Sequence, residues 1–249
     1  MKKIYLGIIL FLITSFLLAE EDIENDRQLA GSPLFSYAKE TGFTYGGMLL
    51  YRFRPKNMNI NVPKNSLILQ AAYTQKKQFQ TLFEPEFRFQ NGLYRLYSNI
   101  KYQNWPSSFY GIGNDSDEGK YEKYTAESLS IEVDISKRIR NNWFLGFIYE
   151  FKYFNMTKSE IDGVLQSEEI PGSGNYTISG IGFSITRDSR NNVFFPLAGK
   201  YFKFHIKCFD SSFGSDYNFI EYELDSRTYI NISGVHVLAF QNILCFIDK

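Results

Sequence analysis

The sequence predicts an all-β fold: an antiparallel transmembrane β-barrel that is incomplete as written. Three observations support this prediction. Aromatic residues make up 18% of the chain, yet its mean hydropathy is only −0.27. Apolar and polar residues alternate over long stretches, and the chain starts like an exported protein. Membrane barrels have these features because alternate side chains face lipid while the others face a polar interior.

The N-terminus has the layout of a cleaved secretory signal peptide over residues 1–19. Lys2 and Lys3 form a basic start, an apolar run follows, and Ala19 stands before an acidic stretch. A membrane anchor is the alternative, but the run is short of the ~20 apolar residues of a spanning helix. Residues 20–32 are then predicted to be a flexible segment, and residues 33–249 the partial barrel domain.

The charge balance and the cysteine count argue against several classes of site. With 27 basic and 27 acidic residues, the chain has no basic surplus for binding nucleic acid. Cys208 and Cys245 are too few for a disulfide scaffold and lack metal-ligand spacing. They could pair in an oxidising compartment if the fold brought them together. We predict no metal site and no cofactor.

Alternation is clearest over residues 128–136, 143–153 and 201–208. In the last stretch, single apolar residues separate the charged and polar ones, so Lys203 and Lys207 would face the lumen. Outside the leader, no apolar stretch shows convincing helical periodicity. Together with turn signals, the alternation predicts about eleven strands. They cover residues 33–38, 43–54, 66–75, 78–90, 93–104, 122–136, 142–154, 176–187, 200–209, 216–226 and 229–241.

The strand count also predicts which connections share an end of the barrel. The two longest connections, 105–121 and 155–175, fall at one end, and the short turn 137–141 falls at the other. Outer-membrane barrels have long extracellular loops and short periplasmic turns. The long connections are therefore predicted to be extracellular.

The stretch RDSRNNVFFPLAGKY, residues 187–201, interrupts the alternation. It could be a catalytic or anion-binding site, but its position between two strands favours a periplasmic turn. Phe194 and Phe195 suit the membrane interface. A contact between Asp188 and Arg190 would hold the turn, contributing about 0–1 kcal/mol if the pair were exposed. The residues predicted to shape this turn are Asp188, Arg190, Asn191 or Asn192, Pro196 and Gly199.

No catalytic constellation is predicted, and the chain is expected not to be an enzyme. His205 and His236 are its only histidines. Ser233 stands three residues before His236, which would put the two on opposite faces of a strand. The acidic run NDSDEG, residues 114–119, does not match the ligand spacing of a calcium loop, so a solvated loop is predicted.

Several motifs together resemble one family, the bacterial surface antigen superfamily of outer-membrane assembly factors of the BamA and TamA type. They are PLFSYAKETGFTYGG, YTQKKQFQ, FYGIGND after YQNWPSS, and DSRNNVFFPLAG with its D-x-R…P-x-x-G arrangement. The resemblance covers residues 33–240. Its turn motif consists of Asp188, Arg190, Pro196 and Gly199. Its loop motif consists of Phe109, Tyr110, Gly111, Gly113 and Asn114.

The resemblance implies a barrel in the outer membrane of a diderm bacterium. Such barrels help to insert other barrels, or translocate proteins or lipids. The implied partners are outer-membrane lipid, other outer-membrane proteins or a translocated polypeptide, and not nucleic acid. A simple pore or structural barrel without insertase activity, or a non-functional fragment, is the main alternative. A barrel lipid hydrolase and a soluble secreted β-sandwich are weaker ones.

The sequence departs from the family pattern at both ends. It leaves no room for periplasmic repeat domains, and it lacks the late Arg-Gly-aromatic loop and a final strand ending in an aromatic residue. Because a membrane sheet must satisfy all its backbone groups internally, eleven strands without a normal last strand would leave edges open. We therefore expect a truncated reading frame of a longer barrel gene.

This expectation can be checked in the DNA that follows the reading frame. A truncated gene should encode further alternating strands just downstream, in one of the three frames. Downstream DNA without such strands in any frame would contradict it.

Overall fold

The computed structural model describes residues 18–22, 26–38, 41–111, 121–159, 163–165, 172–234 and 236–248. These residues form twelve β-strands and one short 3₁₀ helix, Ser211–Phe213. The strands are β1 Leu18–Asp22, β2 Arg27–Ala38, β3 Gly42–Phe53, β4 Asn65–Thr74, β5 Phe79–Phe89, β6 Tyr94–Phe109, β7 Glu122–Arg140, β8 Trp143–Lys158, β9 Tyr176–Asp188, β10 Gly199–Phe209, β11 Phe219–Asn231 and β12 Val237–Asp248.

All twelve strands belong to one antiparallel sheet in which every strand pairs with the next one along the chain. The predicted all-β fold is confirmed. In the described part of the chain the sheet does not close, so β1 and β12 are its edges. No helix in that part is long and apolar enough to cross a membrane.

The two faces of the sheet have opposite character, as the alternation predicts. On β8, Leu145, Phe147 and Tyr149 are exposed, whereas Gly146, Ile148 and Glu150, which alternate with them, are buried. On β9, Phe183 is 60% exposed. Large apolar side chains outside and polar ones inside reverse the arrangement of a water-soluble domain. This reversal suits an outer face against lipid and argues against the soluble β-sandwich.

Ten of the predicted strands overlap β2 to β11, but the N-terminal boundary differs. Residues 20–32 were expected to be a flexible segment, and the structure places much of this stretch in β1 and the start of β2. Pairing explains the difference, because the β2–β3 ladder continues without a shift from Ala38↔Gly42 back to Arg27↔Phe53. β1 also overlaps the predicted signal peptide at Leu18 and Ala19, whose cleavage stays a prediction.

The C-terminal boundary differs as well. A turn was predicted at residues 227–228, but β11 continues to Asn231 and the next strand starts at Val237. Asn231 and Gly234 make the real turn: the Gly234 N–H donates to the Asn231 side chain at 2.6 Å, with φ of 75° at Gly234. The predicted last strand, 229–241, is therefore divided between the end of β11 and the start of β12, and β12 continues to Asp248.

The same turn also changes the expected placement of Ser233 and His236 on opposite faces of a strand. Ser233 and His236 both lie in the exposed connection between β11 and β12, rather than on one strand.

The two cysteines are both free. Cys208 pairs in register with Ile220, whereas Cys245 pairs with Glu223, so the two thiols lie on opposite faces of the sheet and cannot meet within this fold.

The predicted division of connections between the two ends is confirmed. The long connections after β6 and β8 lie at one end, and the turns 141–142 and 189–198 lie at the other. We call the latter the turn end; it also carries the connection 54–64 between β3 and β4. The loop residues Gly113 and Asn114, and the run 114–119, lie outside the described residues.

Candidate functional site

The interior face of β7 to β11 carries a compact set of paired charges, which we call the interior charge cluster. Lys207 is its centre: its Nζ lies 2.5 Å from Glu150 Oε2, 2.6 Å from Glu221 Oε1 and 3.7 Å from Glu132 Oε2. The members of the cluster are Glu132 and Asp134 of β7, Glu150 of β8, Lys203, His205 and Lys207 of β10, and Glu221 of β11.

The cluster joins strands that are not neighbours. Lys203 of β10 places its Nζ 3.0 Å from Asp134 Oδ2 on β7, and two strands lie between them. The Ser184 hydroxyl of β9 donates to the same carboxylate at 3.1 Å. The ion pairs therefore run across the sheet and hold its curved segment from β7 to β10 together.

Glycines on β8 and β9 make these crossings sterically possible. A Cβ at Gly182 would lie 2.2 Å from the Ile206 carbonyl oxygen and 2.7 Å from Lys207 Cγ. A Cβ at Gly146 would lie 2.4 Å from Ser184 Oγ and 2.6 Å from Asp134 Oδ1. Because no side chain projects from these positions, Lys207 can cross β9 and Ser184 can reach Asp134 across β8.

The cluster is buried as well as paired. The side chains of Lys207, Glu150 and Asp134 are 4%, 3% and 1% exposed. Burying charges is expensive, so such a pair stabilises the fold only weakly against an apolar alternative, but loss of one partner is costly. The arrangement can hold the sheet in one curvature and present fixed charges to ions in the interior.

One corner of the cluster has the residue types of a metal site. Ligand atoms of His205, Glu221 and Glu223 lie within 4.8 Å of one another. However, Lys207 Nζ contacts the same Glu221 oxygen that lies 3.4 Å from His205 Nε2. The ammonium group already supplies the positive charge that a metal ion would bring.

Sequence reasoning missed this cluster in part. Alternation correctly placed Lys203 and Lys207 on the polar face, but the partners come from three other strands. Their acidic residues also alternate, as at Glu221 and Glu223, which is a usable signal. The partners themselves could not be assigned, because strand register and sheet curvature are not visible in the sequence.

The turn 189–198 is organised by the contact predicted between Asp188 and Arg190. Arg190 Nε and Nη2 donate to the two Asp188 oxygens at 2.9 and 2.7 Å, and its Nη1 donates to the Val193 carbonyl at 3.2 Å. The pair is buried rather than exposed, with 8% and 16% of the two side chains accessible. Burial lowers the pKa of Arg190, but the bond to Asp188 outweighs it and the net shift is upward.

The two asparagines and the glycine of the turn have the predicted local roles. Asn191 Oδ1 accepts from the backbone N–H groups of Leu197 and Ala198 at 3.0 and 3.1 Å. Asn192 Oδ1 accepts in the same way from residues 194 and 195. Gly199 has φ of 109°, and a Cβ there would lie 2.3 Å from the Ser189 carbonyl oxygen. Only glycine fits this return into β10.

The turn reaches the opposite wall of the sheet. The Arg52 guanidinium of β3 lies 5.0 Å from the centre of the Phe194 ring, although β3 and β9 are six strands apart. Phe194 was expected at the membrane interface, and this cation–π contact is where the structure places it instead. Phe195 is 75% exposed. The turn thus lies across the interior at the turn end.

The loop motif is described only in part. Phe109 ends β6, and Tyr110 and Gly111 follow it. The Tyr110 ring lies 5.6 Å from the Tyr121 ring, across the two ends of the connection, and Gly111 has φ of 93°. No role in binding follows from this geometry.

The chain matches a known protein family. The sequence profile of the Omp85 superfamily domain matches residues 54–242, which is more than half of the chain. The chain belongs to the Omp85 superfamily. This confirms the resemblance to the BamA and TamA type of barrel that the motifs indicate. A comparison with curated proteins found no match.

The fold agrees with a solved member of the BamA type. A crystal structure of BamA from Haemophilus ducreyi lacking POTRA domains 1–3 is similar, with a TM-score of 0.51 and 13% sequence identity. The match covers 95% of this chain and 46% of that one, so the chain spans about half the length of that protein. At this identity the likeness shows a common barrel fold.

The interior charge cluster predicts unequal effects for two lysines that contact the same acid. Lys207→Met should lower the free energy of unfolding by about 3–5 kcal/mol, because it removes the buried cation that Glu150 and Glu221 share. Lys152→Met, whose side chain is 42% exposed and also contacts Glu150, should cost about 1 kcal/mol or less. Urea unfolding in lipid vesicles, followed by tryptophan fluorescence, measures both. Equal losses would contradict the central role of Lys207.

Loss of the contact between Asp188 and Arg190 is expected to impair folding. Asp188→Ala combined with Arg190→Ala should destabilise the folded state by about 1–3 kcal/mol and lower the membrane-inserted fraction, because the turn loses its bidentate contact. Lys200→Gln, an exposed change at the same end, is the matched control. Heat-dependent gel migration and flotation with vesicles report folding and insertion. An inserted fraction equal to that of the control would show that the contact is dispensable.

Proposed function

We propose that the chain forms the barrel of a protein that assembles or transports polypeptides in the bacterial outer membrane, to which a cleaved signal peptide directs it. Membership of the Omp85 superfamily supports this setting. The observation that carries the proposal is this family match together with the continuous antiparallel sheet, and we take the edge at β12 as the place where a client strand would add. In the described part of the sheet, β12 pairs only with β11 and is exposed along almost its whole length.

An open strand edge in lipid is energetically unfavourable because its N–H and C=O groups lack partners. Another strand can satisfy them by adding to the edge, with affinity from backbone hydrogen bonds and little dependence on sequence. A client polypeptide entering the membrane has strands in need of the same bonds. On this proposal the partners are client polypeptides and outer-membrane lipid, and the chain has no catalytic role, cofactor or nucleic-acid partner.

A simple pore or structural barrel is the second candidate. The polar, charged interior favours it, because such interiors conduct ions in outer-membrane pores. The turn 189–198 and the crossing lysine side chains narrow the interior through which ions would pass. Ion conductance in planar bilayers, together with no effect on client folding, would favour the pore.

The edge proposal predicts that the full chain in liposomes speeds the folding of an unfolded test barrel several-fold over empty liposomes. Two single variants test the edge itself: Ile243→Pro and Leu244→Pro. Neighbouring N–H groups of a strand point to opposite sides, so one variant removes a donor at the free edge and the other a bond to β11.

We expect the edge-directed variant to lose the acceleration while it keeps its folded, heat-sensitive gel migration, because proline is tolerated at a free edge. The other variant serves as its matched control for loss of a β11–β12 bond. If the unaltered chain matches empty liposomes, or if neither proline reduces its effect, the edge does not recruit clients.

A further inference from the structure

The turn end of the sheet carries a half-open cavity of about 240 Å³. Its wall comes from the end of β3 with the connection 54–64, from β5, and from the turn 189–198. Five of its lining side chains are positively charged and one is negatively charged. The charged residues are Arg52, Arg54, Lys64, Arg88 and Arg190, with Glu86.

Nearby carboxylates neutralise this charge only in part. Glu86 lies 2.6 Å from Arg88, and Asp188 pairs with Arg190 behind the wall. Asp26 lies 2.6 Å from Lys64 and also contacts Arg54, and hydrogen bonding from Lys64 lowers its pKa, so it stays charged. Among the described residues, three carboxylates therefore contact a lining that carries five cations.

The arginines are held in place by bonds that use only some of their donors. Arg54 Nη1 donates to the Asn59 carbonyl at 2.8 Å, and Arg88 Nη1 donates to the Lys64 carbonyl at 2.9 Å. A guanidinium has five N–H donors and accepts no bonds, so it can serve a second, negatively charged partner. Because the protein already fixes these groups, a ligand would lose little free energy in ordering them.

We propose that this cavity binds a phosphate group, supplied either as free phosphate or as the headgroup of a phospholipid. Arginine matches the geometry of phosphate oxygens by paired hydrogen bonds, and lysine adds a point charge. The volume lies below that of pockets for drug-sized molecules, which suits a small polar group. This inference does not depend on the proposed role in polypeptide assembly or transport.

The site also revises the interpretation of the stretch 187–201. That stretch was predicted to be a turn rather than an anion-binding site, and its turn geometry is present. One of its residues, Arg190, nevertheless lines a cationic cavity whose other four positive charges come from residues 52–88.

Isothermal titration calorimetry of the full chain, folded in a maltoside detergent free of phosphate, tests the site. Sodium phosphate is titrated at an ionic strength held constant with sodium chloride, and dihexanoyl phosphatidic acid is titrated separately. Saturable binding of phosphate supports the free anion as the ligand. Saturable binding of the lipid alone supports the headgroup. No saturable binding of either would overturn the proposal.

Three variants with native gel migration sharpen the test. Arg52→Gln combined with Lys64→Gln should weaken binding roughly tenfold or more, because two charge-assisted contacts are lost. Glu86→Gln should tighten it, because the cavity loses its negative lining group. Lys200→Gln removes a charge at the same end outside the cavity and should leave the affinity unchanged. Equal losses in the double variant and in Lys200→Gln, or weaker binding by Glu86→Gln, would overturn the proposal.

Discussion

Backbone hydrogen bonding in a medium without water is the constraint on which this structure depends. Each N–H and C=O group in the hydrocarbon layer needs a partner within the protein, and a continuous antiparallel sheet provides one for all but the edge strands. The sheet here runs through twelve strands without a crossover. Every other feature follows from it: alternate side chains face lipid, and the remaining ones share a confined interior.

That interior explains why charges and glycines occur together. Side chains on the inner face cannot avoid one another in a curved sheet, so the charged ones must be paired. Lys203 and Lys207 reach acids three and two strands away, respectively, and Gly146 and Gly182 leave space for these contacts. These glycines thus leave space for the ion pairs, and neither of them lies in a turn.

The turn end of the sheet and its edge at β12 differ in character. At the turn end, Arg52 and Phe194 bring a distant strand and a turn together, and cationic side chains line a cavity there. Along the side, β12 leaves backbone groups without a strand partner. The described sheet is thus charged at the turn end and unpaired along the outer edge of β12.

Local sequence was sufficient for the fold class, most strand positions, the two ends and the geometry of the turn, because period-2 alternation and residues such as Gly199 and Asn191 act over a few positions. It was insufficient for the strand limits at both termini, where pairing extends β2 and β11 beyond their local signals. It also could not give the partners of Lys207 or the place of Phe194. These depend on register and curvature, which bring together residues tens of positions apart and leave no trace in any single stretch of sequence.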